Sequence, residues 1–311
     1  MTLLAARATV VAAAMFVAAC GGKTEPPAPA PAAAPVPAAA PAAEPSTERR
    51  LIEEAVAEPP PSAAALAAIK APAMGDLDAM TKRGRVRILV APSRTYYSID
   101  NKLQRGASFD SGAAFVRFVN AQRGSGAAPL DVVFIATPED ALVRDLLAGR
   151  GDLAVNLRQT FERDDQVAFA TPTRTGIREL IVTGSGQRPV VSLEDVGGRE
   201  IHVRKSSDHH ASLVRLNEQL KKIARPPSRI VLADEKLTDE DLLDRVNEGT
   251  YPATLADDYV FEARQRELTS VKANKDVAVS QDGIIAWVTR KDAPQLLAAV
   301  NAFFAAHRPR P

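Results

Sequence analysis

Four polar side chains follow one short apolar run, and their spacing is the first sign of chemistry in the chain. Leu153-Ala154-Val155 reads as a buried strand opened by Gly151-Asp152, and Asn156, Arg158, Thr160 and Arg163 come just after it. In open α/β sheets, ligands bind just outside the carboxyl ends of strands. Arginine there has a specific use, because its planar fork meets a carboxylate with two parallel hydrogen bonds. The same arginines could instead pair with Glu162, Asp164 or Asp165 on a solvated face, where such pairs contribute little. Pro172 argues against a helix continuing through the end of the segment.

Alternating elements would have to hold these residues. Arg85–Ala91 alternates and then turns apolar, which predicts a first strand, followed by the loop Pro92-Ser93-Arg94-Thr95-Tyr96-Tyr97. Phe109, Phe115, Val116 and Val119 recur at helical spacing. Leu130–Ala136 is a second strand, and Pro138-Glu139-Asp140 a good helix start. This β-α-β-α-β order predicts a doubly wound, mostly parallel sheet. Further strands are expected over 178–183, 200–203, 228–233, 252–256 and 284–289, with helices over 211–223, 238–248 and 293–306. Ser207 or Asp208 would cap the first of these helices, and a helix start with free N–H groups can also hold an anion.

The order Gly-Asp, apolar strand, Leu157, Thr160, Arg163, Phe169, Pro172 is similar to the ligand-site segment of periplasmic solute-binding proteins of the amino-acid type, family 3. That resemblance implies a two-lobed periplasmic-binding-protein fold of type II. Each lobe would be a mostly parallel sheet flanked by helices, with two crossing strands joining them. Lobe 1 is expected over 75–177 and 276–311, and lobe 2 over 178–275. It further implies that Arg163, helped by Thr160, clamps a ligand carboxylate, and that Tyr96 and Tyr97 face the ligand. Ser206 and Ser207 would contact it from the second lobe, and Asp258, or else Asp257, would receive its ammonium. Arg158 stands where the family usually carries Thr or Ser, so it joins the candidates as a departure. From Ser192 onward, SLEDVGG, VRKSSDHH and DEKLTDEDLLDRVNEG resemble the N-terminal binding domain of the lytic murein transglycosylase F type, whose relatives add a lysozyme-like catalytic domain. That domain is not expected within these 311 residues, so no enzyme is expected.

What the resemblances imply is a tethered receptor for a small zwitterionic ligand: an amino acid, a short peptide or a muropeptide. An ABC transporter or a cell-wall enzyme is the implied partner, and no cofactor is implied. The alternative is a non-catalytic adaptor for peptidoglycan-processing enzymes, with Arg158 filling the cleft.

Composition bears on both. A net charge of +1 gives no electrostatic case for nucleic acid. His209-His210 lacks the i, i+4 spacing of a helical metal pair, and the only cysteine is Cys20, so no metal site is expected. Gly184-Ser185-Gly186 reads as a turn. Residues 1–20 read as an export signal, with Arg7 before a short apolar run. Val17-Ala18-Ala19-Cys20 resembles a bacterial lipobox, implying lipidation at Cys20 and, with Gly21 next, periplasmic anchoring to the outer membrane. Residues 21–74 read as a disordered tether, since Pro-Ala alternation offers little surface to bury.

Overall fold

A computed structural model describes residues 60–307. The expectations for the export signal, for Cys20 and for the tether before residue 60 lie outside these residues.

Chain order begins with two short helices, α1 (Ala63–Ile69) and α2 (Leu77–Arg83), ahead of strand β1 (Arg85–Val90). A hairpin, β2 (Ser98–Asp100) and β3 (Leu103–Arg105), precedes the long helix α3 (Ala107–Gln122). Then come β4 (Asp131–Ala136), a 3-10 turn running into α4 (Leu142–Leu147), β5 (Leu153–Arg158), α5 (Phe161–Asp164) and β6 (Val167–Phe169). The second lobe holds β7 (Arg174–Gly184), β8 (Glu200–Val203), α6 (Asp208–Lys222), β9 (Arg229–Leu232), α7 (Asp239–Asn247), β10 (Ala253–Asp257) and α8 (Asp258–Arg264). Strand β11 (Val271–Arg290) returns to the first lobe, and α9 (Pro294–His307) packs there. Among the described residues no helix is long and apolar enough to cross a membrane.

The strands lie in the order β4-β1-β5-β11-β7-β10-β8-β9, with β6 also on β11. Each lobe has a parallel centre, β4-β1-β5 in one and β10-β8-β9 in the other. The two crossing strands β7 and β11 join them in antiparallel register. This is a mixed sheet in a two-lobed type II arrangement, more antiparallel at its middle than the βαβ alternation predicts.

Packing follows the strand period of two. Along β1, Val86, Ile88 and Val90 face Phe115, Val116 and Trp287, while Leu89 faces Leu142 and Leu146 on the other side. Along β7, Ile181 joins Val203 and Leu213, whereas Leu180 and Val182 join Leu243 and Phe261. A strand buried on both faces reads as a continuous apolar run. Each such side chain contributes about 1.5–3 kcal/mol on leaving water. Gly151 is required by this packing, because a Cβ there would run into the Leu89 side chain.

The expected tether boundary at residue 74 is corrected. Leu66 and Ile69 of α1 pack against the core beneath β1. Arg87, only 2% exposed, donates to the carbonyls of Ile69 (3.2 Å), Ala71 (3.0 Å) and Ala73 (2.8 Å). One buried guanidinium thus satisfies three backbone carbonyls of this segment.

Candidate functional site

Strand β5 delivers the first cluster, and a bulge aims it. Between β5 and β11 the register shifts, so that Val155 and Asn156 together oppose Trp287. Asn156 takes the left-handed conformation, φ 57°, which asparagine tolerates better than most side chains. Such bulges turn side chains out of the ladder. Asn156 donates to Ser108 Oγ at 2.7 Å, at the first turn of α3, and Arg158 reaches across to the second lobe.

Arg158 meets three carboxylates. Nη2 bonds Asp257 Oδ1 and lies 3.5 Å from Glu179 Oε1, and Nε lies 4.0 Å from Asp208 Oδ2. Glu179 and Asp257 are register partners on β7 and β10. The guanidinium passes over Gly283 of β11, where a Cβ would collide with Nη1.

Arg163 is held by the short helix α5 that follows β5. Thr160 caps α5, its Oγ1 accepting from Arg163 N at 3.4 Å. The Arg163 fork then grips Asp208 with Nη1–Oδ2 at 2.9 Å and Nη2–Oδ1 at 3.0 Å, and Nη1 also donates to Arg158 O at 2.8 Å. Asp208 is the first residue of α6, where a carboxylate is favoured by the helix dipole.

More pairs cross between the lobes. Arg204, at the end of β8, donates to Glu139 Oε2 at 3.0 Å and Asp239 Oδ1 at 2.6 Å. Ser93 Oγ donates to Glu240, and Arg94 bonds Asp241 (3.0 Å) and Asp244 near the surface. His209 completes the centre, 3.4 Å from Asp257 and 4.0 Å from Asp239.

Of the spaces along this seam, three adjoin the charged cluster. A cavity of about 540 Å³ is lined from the first lobe by Val90–Ser93, Tyr96, Ser108 and Asn156, and from the second by Arg204, Ser206, Leu237–Glu240 and Tyr259. A groove of about 550 Å³ holds Arg158, Thr160, Arg163, Asp208 and Arg215. Between them is a polar pocket of about 50 Å³ at Asn156, Arg158, Ser207, His209 and Asp257.

The expected residues therefore separate. Tyr96 lines the large cavity, with its ring edge-on to Tyr259 at 5.9 Å. Tyr97 does not face a ligand space: it is 2% exposed, stacks on Phe134 and donates to Gln104 at 2.7 Å. Ser206 lines the large cavity and donates to Glu235; Ser207 caps α6, accepting from His210 N at 3.3 Å. The two aspartates part company in the fold. Asp257, the last residue of β10, faces the seam, whereas Asp258 begins α8 and bonds Arg178 at 3.3 Å. Asp208, Glu139, Glu179, Arg204, Asp239, His209 and Tyr259 were not among the expected site residues. Arg204 could have been found from its place at a strand's C-terminal end, and Glu139 and Asp208 from the helix starts that hold them; the rest have no local signal.

The electrostatics follow from burial. Burial works against the charged form of His209, but the Asp257 bond and the Asp239 charge outweigh it and raise its pKa to about 10. Burial, then Asp239, pushes Glu139 up to about 7 despite Arg204. Asp257 is raised by burial but brought below its usual value by His209 and Arg158. The donor atoms of Glu179, His209 and Asp257 lie within 4.8 Å of one another, as in a metal site. Arg158 and a protonated His209 already supply the positive charge there.

A pH dependence follows. His209 binds its proton more tightly folded than unfolded, so its contribution is full below about 6.5 and is lost as pH rises through about 10. Glu139 acts the same way, between about 4.5 and about 7. Asp257 acts oppositely, and its contribution is lost as pH falls below its ordinary 3.8. Urea midpoints are therefore expected to be highest in mild acid and to fall steadily towards pH 10. A profile that rises above neutrality would refute the assignment of a charged His209.

Comparison with known proteins agrees with this architecture. The chain is similar to a holo ArgBP from T. maritima, with a TM-score of 0.58, 17% identity, and coverage of 76% of this chain and 95% of that one. AbpA from Streptococcus pneumoniae, bound to L-arginine, has a TM-score of 0.58 at 16% identity, covering 74% of this chain and 91% of that one. The ancestral amino acid-binding protein AncCDT-1 has a TM-score of 0.55 at 21% identity, covering 74% and 92%. Among curated proteins, the membrane-bound lytic murein transglycosylase F of Desulfosudis oleivorans is 22% identical over 232 residues, 74% of this chain and 47% of that protein. The chain thus spans about half the length of that relative. The sequence matches the family profile over residues 96–309, most of the folded part, and the chain belongs to the bacterial extracellular solute-binding proteins, family 3.

Proposed function

We propose that this is a periplasmic, membrane-tethered solute-binding domain that captures a small zwitterionic ligand between its lobes: an amino acid, a short peptide or a muropeptide. The observation that carries the reading is the cavity of about 540 Å³, walled by both lobes and edged with both signs of charge. Lys236 offers a cation to a carboxylate, and Arg204, bonded to Glu139 and Asp239, would share its fork with it; Asp239 and Glu240 offer their remaining lone pairs to an ammonium, and Tyr96 and Tyr259 their rings to the body of the ligand. Ligand pockets of this size, apolar with a few placed polar groups, are the usual binding form. Lipidation at Cys20 would tether the domain to the outer membrane, and an ABC transporter would receive the ligand. Solved relatives of the same fold bound to L-arginine support an amino-acid-like ligand.

A second reading has its own support. Arg158–Asp257, Arg163–Asp208 and Arg204–Glu139 bridge the lobes with protein groups alone. A domain closed in that way could serve as an adaptor for a cell-wall enzyme, as the transglycosylase relative suggests.

A thermal-shift screen of the full chain against amino acids, di- and tripeptides and muropeptides separates the two. A ligand at a hundred times its dissociation constant adds about 2.7 kcal/mol, which raises the midpoint by about 5–10 °C in a domain of this size. Tyr96→Ala is expected to abolish that shift. A cooperative melt that no compound moves would favour the adaptor.

A further inference from the structure

We propose that the acidic cage at the centre of the cleft is a built cation site whose occupant is the chain's own Arg158. This residue keeps a free guanidinium or primary ammonium out, and so sets what the cleft can accept. The proposal builds on the reading of the inter-lobe cleft as the ligand site.

Three independent observations carry it. The first is the cage itself: Asp257, Glu179 and Asp208 approach one guanidinium from β10, β7 and α6. The second is an unfinished group. Glu179 is 1% exposed, and its Oε2 has no hydrogen-bond partner among the described residues. A buried carboxylate oxygen left without a donor points to a site made for more N–H groups than Arg158 delivers. The third is the room made for the occupant. Gly283 lies under the Arg158 guanidinium, where a Cβ would push the guanidinium out of its present place in the cage.

The small polar pocket of about 50 Å³ adjoins the cage at Arg158, Asp257 and His209. Removal of the Arg158 side chain would join that pocket to the vacated space and leave a cavity rich in acceptors. A guanidinium has five N–H donors in a planar array when singly substituted, and a carboxylate cage is its natural complement. The neighbouring fork, Arg163, is already gripped by Asp208. Both charges of the expected zwitterion position are therefore met from within the chain, and a free ligand is directed to the larger cavity beside Arg204.

The test is chemical rescue of full-length Arg158→Ala with methylguanidinium chloride, followed by isothermal titration and by thermal melting. The variant is expected to bind methylguanidinium about tenfold or more tighter than the wild type, the range of a charge-assisted hydrogen-bonded contact. Tetramethylammonium, which has equal charge and no N–H donors, is expected to give no such gain. Adding Asp257→Asn to Arg158→Ala is expected to remove the binding. If Arg158→Ala does not fold alone, the same titration is read as recovery of the folded circular-dichroism signal. Binding no tighter than wild type, equal response to tetramethylammonium, survival of binding in the Asp257→Asn double variant, or absence of recovery would each overturn the proposal. A peptide hit in the wild-type screen with no rescue here would leave the larger cavity as the ligand site and remove the cage. Rescue here with a silent wild-type screen would do the reverse.

Discussion

Replacing Asp152 by alanine is expected to cost the domain about 3–5 kcal/mol, the range for stripping one partner from a buried ion pair. The carboxylate is fully buried, and its oxygens are all engaged. Oδ2 accepts from Arg87 N at 2.9 Å and from Arg87 Nε at 3.2 Å, and Oδ1 accepts from Arg87 Nη2 at 2.8 Å. Arg83 adds an ion pair at 2.5 Å. Without Asp152, two guanidinium groups would face each other beneath β1 with no anion between them. The damage should also spread along the chain. Arg87 is the group that holds the carbonyls of Ile69, Ala71 and Ala73, so its displacement would release α1 from the core. Urea denaturation should show the loss in midpoint, and hydrogen exchange should show faster exchange over residues 62–75. For a domain of this size the melting temperature should fall by about 10 °C or more. A loss under about 1 kcal/mol would mean that the carboxylate is not the anchor of this segment.

Asp152 also illustrates what the sequence could and could not convey. Gly151-Asp152 was legible as the start of a strand after a helix stop, and the strand is there. Its role as an internal counter-ion was not, since Arg87 lies 65 residues away. The same distance effect governs the cleft. Arg158 and Arg163 stood out by type and spacing, but local sequence offered them only Glu162, Asp164 and Asp165 as partners. The carboxylates they meet, Asp257 and Asp208, are 99 and 45 residues away.

The strand expected over Arg85–Ala91 is found at Arg85–Val90, and the apolar period of Phe109, Phe115, Val116 and Val119 lies on the helix α3. The first half of β11, Val271–Asp282, was not expected, because it is half polar and pairs with β7 through repeated register shifts. Tyr96 and Tyr97 were equivalent in sequence. Only the fold decides between them, through the bridge from Ser93 to Tyr97 and the close approach of Gly106, φ 112°, to the Tyr96 backbone.

The adjacent pair Asp257 and Asp258 gives the sharpest contrast of all, and a substitution at each would expose it. Asp257→Ala is expected to destabilise the domain by about 3 kcal/mol, the low end for stripping a partner from a buried ion pair, because Glu179, Asp208 and Asp239 stay near Arg158 and His209 only at longer range. Asp257 is 8% exposed and is the largest support for the charge on His209 through their contact at 3.4 Å. Its removal should therefore also lower the His209 pKa towards its ordinary value. Asp239 and Glu179 would still favour the charge, so the alkaline loss of stability should become shallower without vanishing. Asp258→Ala removes a pair with the more exposed Arg178 and the bond its Oδ1 accepts from Tyr259 N at 2.9 Å, together worth about 1–2 kcal/mol. It should leave the alkaline slope set by His209 in place. Paired urea titrations at several pH values read both effects at once. Equal costs for the two substitutions, or an unaltered alkaline slope in Asp257→Ala, would show that the strand's last residue does not hold the cleft. The predicted difference arises because one residue closes the ladder against Glu179 and the next opens a helix. A single step of register thus decides which carboxylate faces the seam.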